Sequence, residues 1–531
     1  MPLARAIKWT GTALTILAIV IYVGYFAIYV VYTADLLQWP YDYDQGEGFE
    51  LYDAILYSQG RWPYLDNSVY PYYASNYPPL FHLLIVPLLP IFGHRVIAGR
   101  LVSFLATLVT GGTIATVIRR RVGGWFLPTI CGLAFFASNY VYQIGPLSRM
   151  HMTMVMFEIL AIAFIAEFEH PAHGRRNLLI GLLMLLCAGY TKQMAVFTVA
   201  AGLGYVLLRD TRKAIVSGIA LTIVAGLIFW LINLTTQGQW WVNIIQANVN
   251  EFDYRQTLFL FGQWFRLHTL FAICAAAYLC YELFWDRLSV FSLWFLFGLG
   301  SAALSGKWGA GFGYFTTAIA AACLTCGLGL GRLQQKVMNN RSLKRTLQAI
   351  LVVAIPALFL LQAPRMLHLP TSGPVFGSLA RSLGVSDQLI QGDCMVFQYH
   401  DRMGYTQLGH LLTPEDYAAG AEIMNYVRTA DGPVFSEEAM FSLLAEEEVV
   451  TNPTQLLNLY KNDLLDTSDM VERINRQEFG LVLFRAQFYP HPVLEAIGQN
   501  YTPVEHICMN GFYYHLLWPH RTLEALTEMP D

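Results

Sequence analysis

Apolar residues run along this chain in long blocks rather than in amphipathic stripes. The first block, Trp9 to Val31, follows Arg5 and Lys8 and is long enough to cross a hydrocarbon core of ~30 Å. It exceeds a cleavable signal core and lacks a small-residue cleavage site. It therefore predicts an uncleaved first helix with its N-terminus in the cytoplasm. Further apolar segments predict spans at 96–118, 124–143, 151–168, 178–190, 194–208, 214–234, 264–284, 288–304, 312–330 and 346–362. The run Pro79 to Gly93 differs. Its 15 residues reach only ~22 Å as a helix, and Pro87 and Pro90 interrupt it, which predicts an interfacial or re-entrant helix on the outer side. The pattern predicts a polytopic α-helical membrane protein of eleven transmembrane helices, with the N-terminus in and the C-terminus out.

Basic residues agree with that orientation. Arg119-Arg120-Arg121, Arg175-Arg176, Arg209 with Arg212-Lys213, and Arg332, Lys336, Arg341, Lys344 and Arg345 all fall on the cytoplasmic side. A crossing by the Pro79 run would invert everything after it. The loop 34–95 then lies outside, and so does the C-terminal region. From about residue 363 charge rises and apolar runs shorten. GPVFSEEAMFSLLAEEEVV reads as strand, short helix and strand. Asp469 to Gln477 reads as a helix, FGLVLFRA as a buried strand, HPVLEAIGQNY as a helix and GFYYHLLWP as a final strand. This predicts a membrane domain over 1–362 and a small extracytoplasmic α/β domain over 363–531, in which Glu437-Glu438 and Glu446-Glu447-Glu448 read as solvated faces.

Composition excludes other classes. Of 531 residues 55% are hydrophobic and only 13% charged, more apolar surface than a soluble chain covers. A formal net charge of −4 argues against a nucleic-acid partner. Cys323 and Cys326 form a C-x-x-C inside an apolar segment with no second pair or histidines nearby, and read as packing residues. Cys394 and Cys508 are placed to pair if their region faces an oxidising compartment.

The candidate chemistry concentrates in Tyr41 to Phe81, directly after the first span. Asp42, Asp44 and Glu47 crowd within six positions, and close carboxylates push each other's pKa values apart so that one can serve as a base. Asp53 and Asp66 read as solvated loop acids. On the same side lie three single cations between apolar spans: Arg149 in GPLSRMHM, Lys192 in GYTKQ and Lys307 in SGKWGAGFGYF. Each alone is open to a snorkelling reading. Together they point to a shared anionic ligand, with Arg95 and Arg100 placed to join them. A lipid-linked phosphate suits the set, because such cations stabilise a departing phosphate through charge-assisted hydrogen bonds. Gly306, Gly309, Gly311 and Gly313 match a nucleotide loop only loosely, since no strand precedes them. In the loop 237–263, Trp240, Trp241 and Tyr254, with Trp264 just beyond it, read as an interfacial belt whose rings also suit sugar faces.

These features carry a resemblance. GEGFELYDAILYSQGRWPY, then NYPPLFHLLIVPLLPIFG, a basic-flanked helix from Arg100, the SRM and YTKQ turns and KWGAGFGYF follow in order over residues 9–330. In this the chain resembles the membrane-embedded GT-C glycosyltransferases, in particular the bacterial group that includes rhizobial lipopolysaccharide sugar transferases. More distantly it is similar to the lipid A aminoarabinose transferase and protein O-mannosyltransferases. The C-terminal region resembles the outer domain that some members append.

The resemblance implies an inverting transferase in a bacterial inner membrane. A polyprenyl-phosphate sugar is the donor, and a hydroxyl of a glycan, lipid or protein is the acceptor. An acidic residue of the first outer loop is the base, and the lipid phosphate leaves. Members commonly carry an Asp-Glu pair in that loop. Glu47 fits the glutamate position by its spacing to Ala54 and Gly60, but Gly46 stands at the aspartate position, with Asp44 two residues earlier. Asp44 or Glu47 is the expected base, with Asp42 in support. Relatives with a basic residue before the Pro-Pro pair use it near the phosphate; this chain has Tyr77 there, so Arg149, Lys192 and Lys307 are expected to carry more of that role, with Arg100, Tyr77 and His82 as further phosphate-site candidates. His82 is either an extra donor or a packed helix histidine. A divalent metal is compatible with the acidic loop, although a monophosphate held by lysines requires no cofactor. The main alternative is a transporter or flippase of lipid-linked sugars. It predicts internal repeats or charges near the midplane, whereas the ionisable groups here cluster at one face. A receptor or scaffold displaying the C-terminal domain would leave the acidic loop unexplained.

Overall fold

The computed structural model describes residues 2–339, 344–366 and 411–527, with the isolated positions 378 and 382. Each predicted span coincides with helix. Five helices are long and apolar enough to cross a membrane: Arg5–Gln38, Ile97–Val122, Thr211–Thr235, Phe312–Val337 and Leu347–Met366. The protein is an integral membrane protein by these helices, although the crossing count of eleven does not follow from length and composition alone. Shorter apolar helices cover Leu80–Phe92, Phe126–Phe136, His151–Ile165, Gln193–Arg209 and Val290–Gly306.

Two predicted spans are broken. The segment 124–143 divides at Ser138, and Tyr254–Leu267 meets Thr269–Trp285 at His268 with a bend of 96°. The breaks lie against each other. Ser138 Oγ and His268 Nε2 are 2.7 Å apart, so the polar side chains exposed by one break satisfy the other. The first helix, α1 (Pro2–Gln38), packs on Lys344–Met366 through Gly11, where a Cβ would meet Val352 Cγ1 at 2.4 Å. Tyr22 and Tyr25 donate across the same seam to the carbonyls of Phe359 and Ala363.

The basic loops gather at one end of the bundle. There Gln335 donates to Val122 O, Arg121 to Ala166 O and Arg209 to Leu288 O, and Arg332 pairs with Glu282 and Asp286. The acidic loop and residues 411–527 occupy the other end. That second part is built on a four-stranded sheet of order β1-β2-β4-β3: β1 (Val434–Ser436), β2 (Leu481–Phe484), β3 (Tyr501–Met509) and β4 (Phe512–Pro519). β1 and β2 are parallel and the other pairs antiparallel. The β3–β4 hairpin turns on Asn510 and Gly511, both at positive φ as a two-residue turn with right-handed strand twist requires.

The strand expected at Val449-Val450 does not form; an isolated bridge between Thr451 and Tyr72 stands next to it. Glu437 and Glu438 are buried at 0% and 1% exposure rather than solvated, because a loop and an arginine fold over them as described below. Cys323 and Cys326 are free and buried, as packing residues should be. Cys394 lies outside the described residues, and with it the expected pairing to Cys508.

The two parts share one apolar core. Tyr41 stacks on Phe441 at 5.1 Å. Hydrogen bonds tie the acidic loop to the sheet part, among them these three. Met440 N donates to Asp42, Asn510 Nδ2 to Tyr43 O, and Asn452 Nδ2 to Ala74 O.

Candidate active site

The acidic loop leaves α1 at Gln38 and enters α2 (Glu47–Ser58) through Gly46, whose φ of 102° is left-handed and favours glycine. A Cβ at Gly46 would lie 2.7 Å from Arg149 NH1. The position where the resemblance implies aspartate is therefore filled by the guanidinium of Arg149.

Three acids of this loop have three different environments. Asp42 is fully buried. Its oxygens accept from Gly48 N at 2.5 Å and Met440 N at 3.2 Å, so it ties the first turns of two helices together. Burial, with Glu438 and Glu47 nearby, pushes its pKa well up. Glu47 is also fully buried, and both its oxygens are used. Oε1 accepts from Arg100 Nε and Ser148 N, and Oε2 from Tyr43 N, Asp44 N and Arg100 NH2. Burial opposes its charge, but Arg100 and these backbone donors bring its pKa below the ordinary value. Arg100 further donates to the carbonyls of Leu36, Trp39 and Tyr41, and locks the end of α1 to the loop. Asp44 differs from both. Its Oδ2 accepts from Arg149 Nε at 3.1 Å and NH2 at 3.0 Å, while its buried Oδ1 has no hydrogen-bond partner among the described residues. Burial raises the Asp44 pKa against the opposing pull of Arg149.

Asp44 lies on the wall of a cavity of about 300 Å³ between the bundle and the sheet part. Arg149, Lys192, Tyr77, Glu50 and His151 line it too. Arg149 NH1 reaches Glu50 Oε1 at 3.3 Å, so one guanidinium bridges the two cavity carboxylates. Lys192 Nζ lies 2.7 Å from His151 Nε2, and 5.2 and 5.3 Å from the ring centroids of Tyr77 and Tyr314. Burial and the nearby Arg149 lower its pKa to about 7. Tyr77 thus stands beside a lysine supplied by another segment.

The remaining predicted residues stand back from the cavity. Lys307 Nζ donates to Asn248 O at 2.7 Å, where its loop bridges to Phe252. Asp42, Glu47 and Arg100 are the frame just described. Arg95 and Asp66 are exposed. His82 is buried behind Glu50, with Nε2 2.6 Å from Glu50 Oε2 and 3.4 Å from Asp53 Oδ2. Asp53, expected in solvent, is buried there; burial raises its pKa to about 7, opposed by His82. The cause is α2 itself, which turns Glu50 and Asp53 inward, onto the helix that carries His82.

Among the described residues, Glu50, Asp53 and His82 are a group with metal-ligand atoms within 4.8 Å of one another. Hydrogen bonds satisfy part of the group, although His82 Nδ1 is buried with no hydrogen-bond partner among the described residues. The His82–Glu50 contact is 2.6 Å, and Tyr73 OH donates to Asp53 Oδ1 at 2.6 Å. The donor set suits a hard cation; Glu50 belongs to the cavity wall, while Asp53 and His82 lie behind it.

Glu50 and His151 were missed as candidates. Glu50 carries a signal, three residues after Glu47 on the same helix. His151 lies two residues from Arg149, a spacing without specific meaning until the helix start at His151 is known.

No family model matches the sequence, and no curated protein matches it. Solved structures do share its fold. The crystal structure of ArnT from Cupriavidus metallidurans bound to undecaprenyl phosphate aligns with a TM-score of 0.58 at 12% identity, over 93% of this chain and 98% of that one. The oligosaccharyltransferase of Archaeoglobus fulgidus in the apo form aligns with a TM-score of 0.51 at 12% identity, over 92% of this chain and 73% of that one. The chain shares the fold of these two structures. A transport reading finds no support among them.

Proposed function

We propose that the chain is an inverting glycosyltransferase that moves a sugar from a polyprenyl-phosphate donor to an acceptor hydroxyl on the outer face of the membrane. The observation that carries this reading is one cavity holding a buried carboxylate, Asp44, with an oxygen unpartnered among the described residues, and a buried lysine, Lys192. An acid and a cation on one cavity wall suit displacement at a carbon between them. The shared fold with a protein solved on undecaprenyl phosphate supports the donor class.

In this reading Asp44 Oδ1 takes the proton of the acceptor hydroxyl as its oxygen bonds the anomeric carbon from the face opposite the phosphate. The bond from that carbon to the phosphate oxygen breaks, and the phosphate keeps the electron pair. The Lys192 ammonium neutralises it, with His151 as its neighbour. Arg149 fixes Asp44 and Glu50 relative to each other. Glu47, Asp42 and Arg100 hold the loop in place. The acidic end faces outward and the basic loops face the cytoplasm, in a bacterial inner membrane.

The test is release of polyprenyl phosphate from a panel of polyprenyl-phosphate sugars by the purified protein, with membrane extract as acceptor source. Sugar-dependent release is expected. Absence of release with every donor would overturn the assignment.

A further inference from the structure

One wall of the cavity comes from the sheet part. Asn452, Thr454 and Phe488 line it, opposite Trp308 of the bundle. The rings of Trp308 and Phe488 meet edge to face, 5.8 Å apart at 81°, and form a right-angled aromatic corner. Both are half-buried.

The two rings are held by unusual effort. The Phe488 loop wraps a buried carboxylate: Arg485 N, Ala486 N and Gln487 N donate to Glu437 Oε2, and Phe488 N to Oε1. Arg485 is in turn clamped on Glu438, whose oxygens also accept from Tyr514 OH. On the other side, Trp308 N donates to Glu251 O, Asn250 Nδ2 to Trp308 O, and Lys461 Nζ lies 4.9 Å from the Trp308 ring. A buried glutamate accepting four amide hydrogen bonds is costly to assemble for a surface turn alone. Here it fixes one ring at the cavity.

We propose that the Trp308–Phe488 corner, with Asn452 and Thr454, is the acceptor subsite, and that the acceptor is a saccharide; this rests on the transferase reading above. A pyranose presents axial C–H groups on its faces and hydroxyls at its rim. The negative face of an aromatic ring attracts the former, and amide and hydroxyl groups pair with the latter. A corner at a right angle takes a face on one ring and an edge on the other. The subsite opens on the same cavity as Asp44, so a rim hydroxyl can be delivered to the base.

The experiment is saturation-transfer NMR on the full chain in nanodiscs, loaded with polyprenyl phosphate, against methyl glycosides and short oligosaccharides. At least one saccharide should bind. Trp308→Ala and Phe488→Ala should each weaken it by roughly 3- to 10-fold, the range for one aromatic contact. Phe488→Tyr should bind as wild type. Phe488→Leu and Trp308→Leu keep an apolar side chain without the π face, and each replaces the alanine variant at its own position if that variant fails to melt like wild type. No binding by any saccharide, or equal binding in wild type and the ring variants, overturns the proposal. Saccharide binding without release of polyprenyl phosphate would instead remove the transferase reading and leave the subsite standing.

Discussion

Replacing Asp44 and Glu47 by their amides separates two acids that the sequence leaves equivalent. Both oxygens of Glu47 accept only from donors, two at Oε1 and three at Oε2. In Glu47→Gln the new NH2 faces at least two donors whichever way the amide turns, and Arg100 is left buried without its counter-charge. Breaking a buried pair from one side costs about 3–5 kcal/mol. That is a large share of a folding free energy of about 5–15 kcal/mol. Asp44→Asn is different. The amide oxygen can stay on Arg149 while the NH2 takes the place of Oδ1, unpartnered among the described residues, so no donor meets a donor. The fold should survive, and the loss should fall on the chemistry. A general base contributes about 10²- to 10⁴-fold, or about 3–5 kcal/mol of barrier. Thermal melting by tryptophan fluorescence and polyprenyl phosphate release on the same preparations read the two effects apart. Asp44→Asn should melt like wild type and lose at least about 100-fold in turnover; Glu47→Gln should lose stability or yield. An Asp44→Asn enzyme with nearly full turnover, or a Glu47→Gln enzyme that melts normally and does not turn over, would refute the reasoning.

Other consequences are as direct. Lys192 is lowered to about 7 and must be protonated to hold a phosphate, so kcat/KM should fall as pH rises through 7. Asp44 must be ionised, so kcat/KM should also fall as pH drops through its raised pKa. The bound phosphate favours the ammonium and moves the alkaline limb of kcat upward. Lys192→Arg should abolish that limb in a pH–rate profile, since a guanidinium does not titrate there. Gly46→Ala sets a Cβ 2.7 Å from Arg149 NH1 at a φ of 102° and should cost about 1–2 kcal/mol in a denaturation series while lowering turnover. Arg149 already bridges the cavity carboxylates as a fixed cation, so treatment with EDTA should leave the release rate within about 2-fold, whereas a metal-dependent loop would lose about 10-fold or more.

The sequence by itself determined the membrane class, the positions of the helices and the concentration of acids after the first span. Block length, proline interruption and the placement of basic loops are local properties, and hydrocarbon thickness reads them directly. It also singled out Arg149, Lys192 and Lys307, because isolated charges between apolar segments are conspicuous, and the first two line the cavity. Which acid meets the cavity was beyond it. Asp42, Asp44 and Glu47 share composition and neighbourhood, and their roles diverge only when Arg100 reaches from the helix Ile97–Val122 and Arg149 from the turn before His151. The burial of Asp53 depended on His82, 29 positions away, and the burial of Glu437 on a loop about 50 positions on. Gly46 read as a departure from the family pair until the guanidinium was found in its place. These are contacts between segments distant in sequence, and desolvation and pairing, which decide what a carboxylate does, exist only once those segments have packed together.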